Sequence, residues 1–284
     1  MRVTPLRTIR ICADDYGIAP GVNRAILDLL DAGRIDATSV MMLPKSLDAG
    51  AIAALAAIKQ RRPTISVGLH LTLTAPFTAM TTGQPFKALK AMLLAALMRR
   101  LDGAALAAEA RAQLAAFRTA FGRPPDHVDG HQHVHLFPQV RDAVLAAIAE
   151  AAPHASVRQC GRAGSWAARI ADRKGLVLDI LSATFRRRAA RAGIATNTAF
   201  AGTYDFDGDV DFAALFPRFL TGMPDGGLIM CHPGFVDPAL KSLDSLTDLR
   251  ERELAYLDSD AFAHDLARHR VELMTPAGET AAAA

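Results

Sequence analysis

The chain has 284 residues, of which 51% are hydrophobic and 21% charged, a composition typical of folded globular proteins rather than disordered or fibrous ones. Its 32 basic and 29 acidic residues leave a net charge of +3, too small to predict a surface that follows nucleic-acid phosphates, so no nucleic-acid partner is expected. The three cysteines are far apart and predict buried thiols rather than a disulfide framework or a thiolate metal site: Cys12, Cys160 and Cys231.

The lengths of the apolar stretches indicate whether the chain carries a secretory signal or a transmembrane helix. Two aspartates follow the first thirteen residues before any apolar stretch long enough for a secretory signal, which predicts a cytoplasmic protein. The apolar run 91–98 lies between two basic residues and is far shorter than the roughly 20 residues that a transmembrane helix needs. No membrane span is therefore expected.

Short β-rich runs alternate with Ala/Leu-rich helical stretches along the chain, which predicts βα units around a parallel sheet, an α/β fold. The predicted strands are 8–13, 38–43, 65–70, 127–130, 156–160 and 228–231. The predicted helices include 21–32, 47–59, 104–121, 139–151 and 211–221. Because no fixed repeat is present, we expect a single domain over 1–275, followed by a disordered tail over 276–284.

Two insertions interrupt this alternation, at 75–101 and at 161–200. Long segments that follow strands carry the substrate-binding loops of α/β barrels, so both insertions are candidates for substrate specificity. The second contains four arginines that form either a solvated helix face or a contact for a phosphate or lipid headgroup: Arg186, Arg187, Arg188 and Arg191.

A histidine or aspartate occupies every second position of one segment: His127, Asp129, His131, His133 and His135. On an extended strand these side chains share one face, whereas a helix starting after Gly130 would place His131 and His135 together. A surface-exposed cluster is the alternative. Because imidazole nitrogens are good ligands for zinc and other first-row metals, the cluster predicts a metal site.

Two adjacent carboxylates, Asp14 and Asp15, end an apolar strand and precede Gly17. If the backbone bends there, both reach one cavity, where one holds a metal and the other accepts a proton. Ordinary turn or helix-cap chemistry is the alternative for such a pair.

Single histidines occur near the ends of two further apolar strands, His70 in GLHLTLT and His232 in MCHPG. A lone histidine in such a run is usually a hydrogen-bonded core residue. In parallel α/β folds, however, the carboxyl ends of strands converge on the active site. The pattern therefore predicts that four strands bring the two aspartates, His70, His131 and His232 to one rim.

Four motifs, ADDYG, GLHLTLT, HVDGHQHVHLFP and MCHPGFVD, resemble in order and spacing those of the YdjC-like carbohydrate deacetylases, the ChbG/HpnK group. The resemblance extends from residue 8 to about residue 257. It implies a (β/α) barrel-type fold with the site at the carboxyl ends of parallel strands. It also implies hydrolysis of the acetamide of an N-acetylated sugar, either chitooligosaccharide-like or a lipid-linked amino sugar. Tyr16 departs from the pattern, in which phenylalanine is usual.

Transferred position by position, the resemblance implies that Asp14 is the general base and His232 the acid. It implies that Asp15, His70 and His131 bind one divalent metal ion. Two imidazoles and one carboxylate suit zinc, and magnesium remains open.

Four residues are candidates for supporting roles around these groups. A carboxylate two residues before His131 is suited to hold a histidine ring in the right tautomer, which makes Asp129 a candidate, and His133 and His135 are further candidates for the surroundings of the metal. Arg158, at a predicted strand end, either orients Asp14 or contacts the sugar.

Two other functions remain open from the sequence. One is a catalytically silent, metal-containing carbohydrate-binding protein, and the other a metal-dependent glycoside or phosphoester hydrolase. The extra carboxylate disfavours the first, because a purely structural metal does not need it. Adjacency of Asp14 and Asp15 disfavours a glycosidase, whose two carboxylates lie about 5–9 Å apart on opposite sides of a sugar.

Overall fold

The computed structural model describes residues 5–45, 47–163, 173–206 and 209–274. Within these ranges the strands are β1 (Arg7–Tyr16), β2 (Ala37–Val40), β3 (Ser66–Leu71), β4 (His127–Gly130), β5 (Ser156–Val157), β6 (Phe200–Ala201), β7 (Leu228–Cys231) and β8 (Val271–Leu273). The helices are α1 (Pro20–Asp31), α2 (Ala49–Arg61), α3 (Leu89–Leu97), α4 (Gly103–Phe121), α5 (Val140–Ala151), α6 (Arg173–Arg191), α7 (Phe212–Leu220), α8 (Pro238–Leu243), α9 (Asp248–Leu257) and α10 (Asp260–His269). The predicted tail, 276–284, lies outside the described residues.

The strands form one parallel sheet in the order β5-β4-β3-β2-β1-β7-β6, and β8 pairs with the first residues of β1. The sheet curls into a half-barrel against which the helices pack, which confirms the predicted (β/α) barrel-type fold with parallel strands. The five predicted helices are present as α1, α2, α4, α5 and α7, with ends that differ by at most two residues.

Strand β1 is the centre of the sheet. It pairs with β7 along one edge and with β2 and β8 along the other. Its side chains Ile9, Ile11 and Cys12 are fully buried, as expected for a parallel strand covered on both faces. The strand is longer than the predicted 8–13, because it continues through both aspartates to Tyr16.

The gap between β5 and β6 is bridged at single positions rather than by a continuous ladder. Val157 pairs with Thr196, and Arg162 pairs with Phe200, both in the parallel sense. Strand β5 is only two residues long instead of the predicted 156–160, because the backbone that follows bonds to side chains. The Gln159 N–H, for example, donates to Asn197 Oδ1 over 2.8 Å.

Each predicted insertion carries a helix that borders the carboxyl ends of the strands. Helix α3 lies in the 75–101 segment and α6 in the 161–200 segment. Over the ranges that the structure describes, every helix is too short or too polar to cross a lipid bilayer.

Candidate active site

The carboxyl ends of β1, β3, β4 and β7 surround one cavity of about 840 Å³. Its wall includes the residues expected to meet there: Asp14, Asp15, His70, His131 and His232. The first two lie near the end of β1, His70 lies in β3, His131 follows β4 directly, and His232 follows β7 directly. The structure thus brings these five predicted residues together.

A local irregularity in β1 lets two consecutive carboxylates face the same cavity. The register between β1 and β2 shifts between Ala13 and Tyr16, and Asp15 has a left-handed backbone with φ of 70°. Aspartate tolerates this conformation better than most non-glycine residues. Gly17 follows with φ of 100°, and its N–H donates to Asn23 Oδ1 over 2.5 Å. The bend expected at the strand end is therefore a bulge centred on Asp15.

Asp15, His70 and His131 form a compact group of metal-ligating atoms. Asp15 Oδ1 lies 3.2 Å from His70 Nε2 and 3.1 Å from His131 Nδ1, and all three residues are buried. One atom from each lies within 4.8 Å of the others. Two imidazole nitrogens and one carboxylate oxygen fit the ligand set of a catalytic divalent metal that keeps open positions.

Asp129 orients one of these histidines from behind. His70 Nδ1 donates to Asp129 Oδ1 over 2.6 Å, which leaves Nε2 facing Asp15. The carboxylate–histidine–metal arrangement fixes ring orientation and raises ligand basicity. Although burial opposes the charged ring, the carboxylates of Asp129 and Asp14 raise the pKa of His70 to about 10.

Asp14 is held by a buried arginine. Arg158 Nη1 donates to Asp14 Oδ2 over 2.5 Å, and its Nη2 donates to Oδ1 over 2.6 Å. Ser39 Oγ also donates to Asp14 Oδ1, over 3.0 Å. Burial acts to raise the pKa of Asp14, but the charge and hydrogen bonds of Arg158, together with His70, lower it, and the net shift is downward. Arg158 also pairs with Asp129, so it joins the base candidate to the carboxylate behind His70.

Arg250 is a residue that sequence reasoning missed. Its Nη2 donates to Asp15 Oδ2 over 2.6 Å and to Asp244 Oδ2 over 2.7 Å, and its side chain is fully buried. Burial acts to raise the pKa of Asp15. Its hydrogen-bonded partners, of which Arg250 has the largest effect, nevertheless hold that pKa well below its usual range. Since Arg250 occupies Oδ2, Asp15 presents Oδ1 to the two histidines. In sequence Arg250 is one charged residue of an ordinary helix, and no local pattern marks it.

His232 is positioned by its backbone and by aromatic neighbours. Its N–H donates to Glu253 Oε2 over 2.5 Å, and Glu253 Oε1 accepts from the Tyr204 hydroxyl over 2.6 Å. Its ring meets Phe206 edge-on, with ring centroids 5.5 Å apart. Burial raises the pKa of Glu253. Glu253 and Tyr204 therefore support the wall that carries His232, and neither was predicted.

The other histidines of the 127–135 segment do not belong to the group formed by Asp15, His70 and His131. Both geometries predicted for 127–135 are wrong, because Gln132 and His133 have left-handed backbones and turn the chain within a kinked 3₁₀ segment, His131–Leu136. His135 Nε2 donates to the Arg158 carbonyl over 2.8 Å, and His133 Nδ1 lies 3.5 Å from Cys160 Sγ. Burial lowers the pKa of His133 to about 3 and that of His135 to about 4, so both are neutral.

His127 belongs to the opposite end of β4. Its Nδ1 shares a hydrogen bond of 2.8 Å with Ser66 Oγ, and its Nε2 lies 3.8 Å from Cys12 Sγ. Burial lowers the pKa of His127 to about 4. The five alternating polar residues therefore divide into one metal-ligating candidate, one carboxylate that orients His70, and three neutral histidines outside the metal group. Of these three, His133 still lines the cavity.

Comparison with known proteins identifies the family of the chain. A family model described as YdjC-like protein matches residues 8–268. The chain belongs to the YdjC-like protein family. This confirms the resemblance inferred from the four motifs.

A relative from Serratia marcescens named chitooligosaccharide deacetylase is 30% identical over 261 residues, which cover 83% of this chain and 88% of the relative. A protein of the same name from Yersinia pestis (strain Pestoides F) is 37% identical over 138 residues, which cover 47% of this chain and 53% of that protein.

Solved structures share the fold of this family member. A proposed cellobiose-phosphate cleavage protein from Enterococcus faecalis superposes with a TM-score of 0.70 at 20% identity, covering 95% of this chain and 98% of the other. The lactam utilization protein of Thermus thermophilus gives a TM-score of 0.54 at 16% identity, covering 94% and 99% of the two chains. At such identities these likenesses concern the fold alone.

Proposed function

We propose that this protein is a metal-dependent carbohydrate N-deacetylase, which hydrolyses the acetamide of an N-acetylated sugar and releases acetate. The observation that carries the proposal is a spare carboxylate: Asp14 lines the same cavity as the Asp15–His70–His131 group but is held apart by Arg158. Membership of the YdjC-like family and the names of its deacetylase relatives support the substrate class.

Asp15 Oδ1, His70 Nε2 and His131 Nδ1 would hold the metal ion. The two imidazoles favour zinc or another first-row metal, since magnesium prefers an all-oxygen ligand set. A bound ion would polarise the amide carbonyl and lower the pKa of the attacking water. Arg250 keeps the second oxygen of Asp15 engaged, and so determines which oxygen faces the ion.

Asp14 would accept the proton of the attacking water as that oxygen adds to the amide carbon. Its Oδ2 accepts one hydrogen bond, from Arg158, and each carboxylate oxygen has capacity for a second. The lowered pKa of Asp14 keeps it ionised at neutral pH. His232 would protonate the nitrogen as the C–N bond breaks, which releases acetate and a free amino sugar.

The cavity suits a sugar larger than one ring. Its volume of about 840 Å³ lies within the roughly 300–1,000 Å³ of pockets that enclose drug-sized ligands. Tyr204 and Phe206 form part of the wall, with ring centroids 4.3 Å apart, and offer apolar faces to a pyranose. We therefore expect an N-acetylated oligosaccharide or a lipid-linked amino sugar as substrate.

The test is acetate release from N-acetylglucosamine oligomers and N-acetylated glycolipids, before and after removal of metal by a chelator and after separate addition of zinc or magnesium. Asp14→Asn is expected to lower kcat about 10²–10⁴-fold with metal content unchanged. Asp36→Asn is the matched control, because Asp36 is also a buried aspartate but hydrogen-bonds to the Ile11 N–H, towards the other end of β1.

Two outcomes would contradict the proposal in different ways. Full activity of Asp14→Asn would remove Asp14 from the role of base. Sugar binding without acetate release from any substrate, at full metal content, would favour the catalytically silent binding protein.

A further inference from the structure

Helix α3 exposes an apolar face to solvent. Leu94, Leu97 and Met98 are 54%, 57% and 52% exposed, whereas Met92 and Ala96 are buried against the barrel. One scattered apolar side chain on a surface is ordinary, but three within five residues form a patch. The helix therefore has one apolar face packed on the protein and another without cover among the described residues.

Basic residues adjoin this patch. Arg99 and Arg100 follow the helix directly and are exposed. Burial lowers the pKa of Arg141, as do its neighbours Arg188 and Arg99, so the three guanidinium groups lie within electrostatic reach of one another. Asp142 Oδ1 lies 3.8 Å from Arg141 Nε and 3.4 Å from Arg188 Nη1, so these two arginines share one carboxylate. The cluster retains an excess of positive charge.

The patch also borders the mouth of the active-site cavity. Helices α3 and α6 both pack on the kinked segment that carries His131. Leu89 of α3 and Leu178 of α6 line the cavity itself. Beside Leu178, Val177 and Ile180 are 50% and 55% exposed. Both helices therefore combine a residue of the cavity wall with exposed apolar side chains.

We propose that these residues, Leu94, Leu97, Met98, Val177 and Ile180 with the exposed basic residues Arg99, Arg100 and Arg188, bind the face of an anionic lipid bilayer. Apolar side chains of an interfacial helix enter the boundary between headgroups and acyl chains. Arginines beside them bind anionic headgroups, and the two contributions add. The cavity would then open at the membrane surface.

The charges favour a bilayer over a second copy of the chain. A two-fold symmetric dimer places the same patch on both partners, so an arginine cluster near the two-fold axis would face its own copy. Like charges that face each other across an interface are unfavourable. An anionic bilayer neutralises the same cluster.

The experiment is sedimentation of the full chain with vesicles of phosphatidylcholine, with and without phosphatidylglycerol, at low and high salt. We expect binding to the anionic vesicles, weaker binding at high salt, and little binding to the neutral ones. The double variant Leu94→Ser/Leu97→Ser should lose most of the binding. Arg99→Gln/Arg100→Gln should weaken it by at least about tenfold.

Two exposed residues elsewhere provide matched controls. Leu6 is 51% exposed just before β1, at the opposite end of the barrel, so Leu6→Ser should bind vesicles like the unaltered protein. Arg118, exposed on α4, serves in the same way as Arg118→Gln. Thermal unfolding of each variant verifies that it is folded.

Absence of binding to anionic vesicles would overturn the proposal, as would equal binding by Leu94→Ser/Leu97→Ser and the unaltered protein. A dimer in light scattering that dissociates in this double variant, without vesicle binding, would assign the surface to a second copy. The readout needs no turnover, so failure here is distinguishable from failure of the proposed deacetylase activity.

Discussion

Arg158 binds both oxygens of Asp14, with Nη1–Oδ2 and Nη2–Oδ1 distances of 2.5 and 2.6 Å, although the two residues are 144 positions apart in the chain. The arginine follows β5 and the aspartate ends β1, so their contact spans the sheet from its edge to its centre. Both are buried, and Arg158 also pairs with Asp129. The orientation of the proposed base thus depends on a residue far away in sequence.

Two substitutions of Arg158 should distinguish the effect of its positive charge from the effect of its planar guanidinium group. Arg158→Met leaves two carboxylates buried without their partner and is expected to lower the free energy of unfolding by about 3–5 kcal/mol. Arg158→Lys keeps the charge but lacks the planar fork, so it should retain more stability while kcat falls about 100-fold through misplacement of Asp14. Urea unfolding and acetate release measure the two effects. A lysine variant with unaltered kcat would show that the two-armed contact is dispensable.

Asp129→Asn should weaken metal binding, because Asp129 Oδ1 accepts the hydrogen bond that orients His70. Loss of such a carboxylate typically costs about 10–100-fold in metal affinity. Competition with a chromogenic chelator measures it. Asp126→Asn is the control: Asp126 lies just before β4, away from the cavity, and pairs with Arg123 at 2.7 Å. Equal metal affinities of the two variants would contradict the role given to Asp129.

Asp36 should make stability depend on pH. Burial raises its pKa to about 7, and the Arg10 Nε at 3.7 Å does not offset this. The unfolded value is about 3.9, so the folded state binds the proton more tightly, and the stability that Asp36 contributes falls as pH rises from about 4 to about 7. Asp36→Asn removes the titration.

Urea unfolding at pH 4 and pH 8 tests this expectation. The free energy of unfolding of Asp36→Asn should exceed that of the unaltered protein by about 1 kcal/mol or more at pH 8, and the difference should shrink at pH 4. A difference that does not change with pH would mean that Asp36 titrates alike in both states.

Gly68 should tolerate no side chain. A Cβ added there would lie 2.3 Å from His127 Nε2, and this ring is held by a hydrogen bond to Ser66. Gly68→Ala is therefore expected to cost about 1–3 kcal/mol of stability. Gly103 begins α4 with no atom within 4 Å of its added Cβ, so Gly103→Ala should be neutral or slightly stabilising. Thermal unfolding compares the two, and equal effects would contradict the steric argument.

Much of the fold follows from local pattern. Apolar runs and Ala/Leu-rich stretches long enough to show a period, such as β1 and α4, are visible in the sequence. Strands β6 and β8 have two and three residues, too few for any periodicity, and depend on pairing with β7 and β1. Strand β5 was overestimated because side chains such as Asn197 replace its ladder partners.

The candidate site shows the same division. Asp14, Asp15 and His131 have dense local motifs, and convergence of strand ends adds His70 and His232. Arg250 has neither, since it lies on a helix with other charged residues and reaches Asp15 only after the chain has folded. The kink at Gln132 and His133 was also invisible, because left-handed backbone at non-glycine residues leaves no reliable mark in sequence.

The bulge at Asp15 joins the proposed base and a metal ligand through one peptide bond. Any movement of one Cα therefore moves the other, and exchange of a loop cannot change the distance between the two residues. An insertion or deletion between them would break both at once. Diversification towards new sugars in this family is therefore expected in segments that carry neither group, such as those of α3 and α6, and reprogramming of specificity should start there.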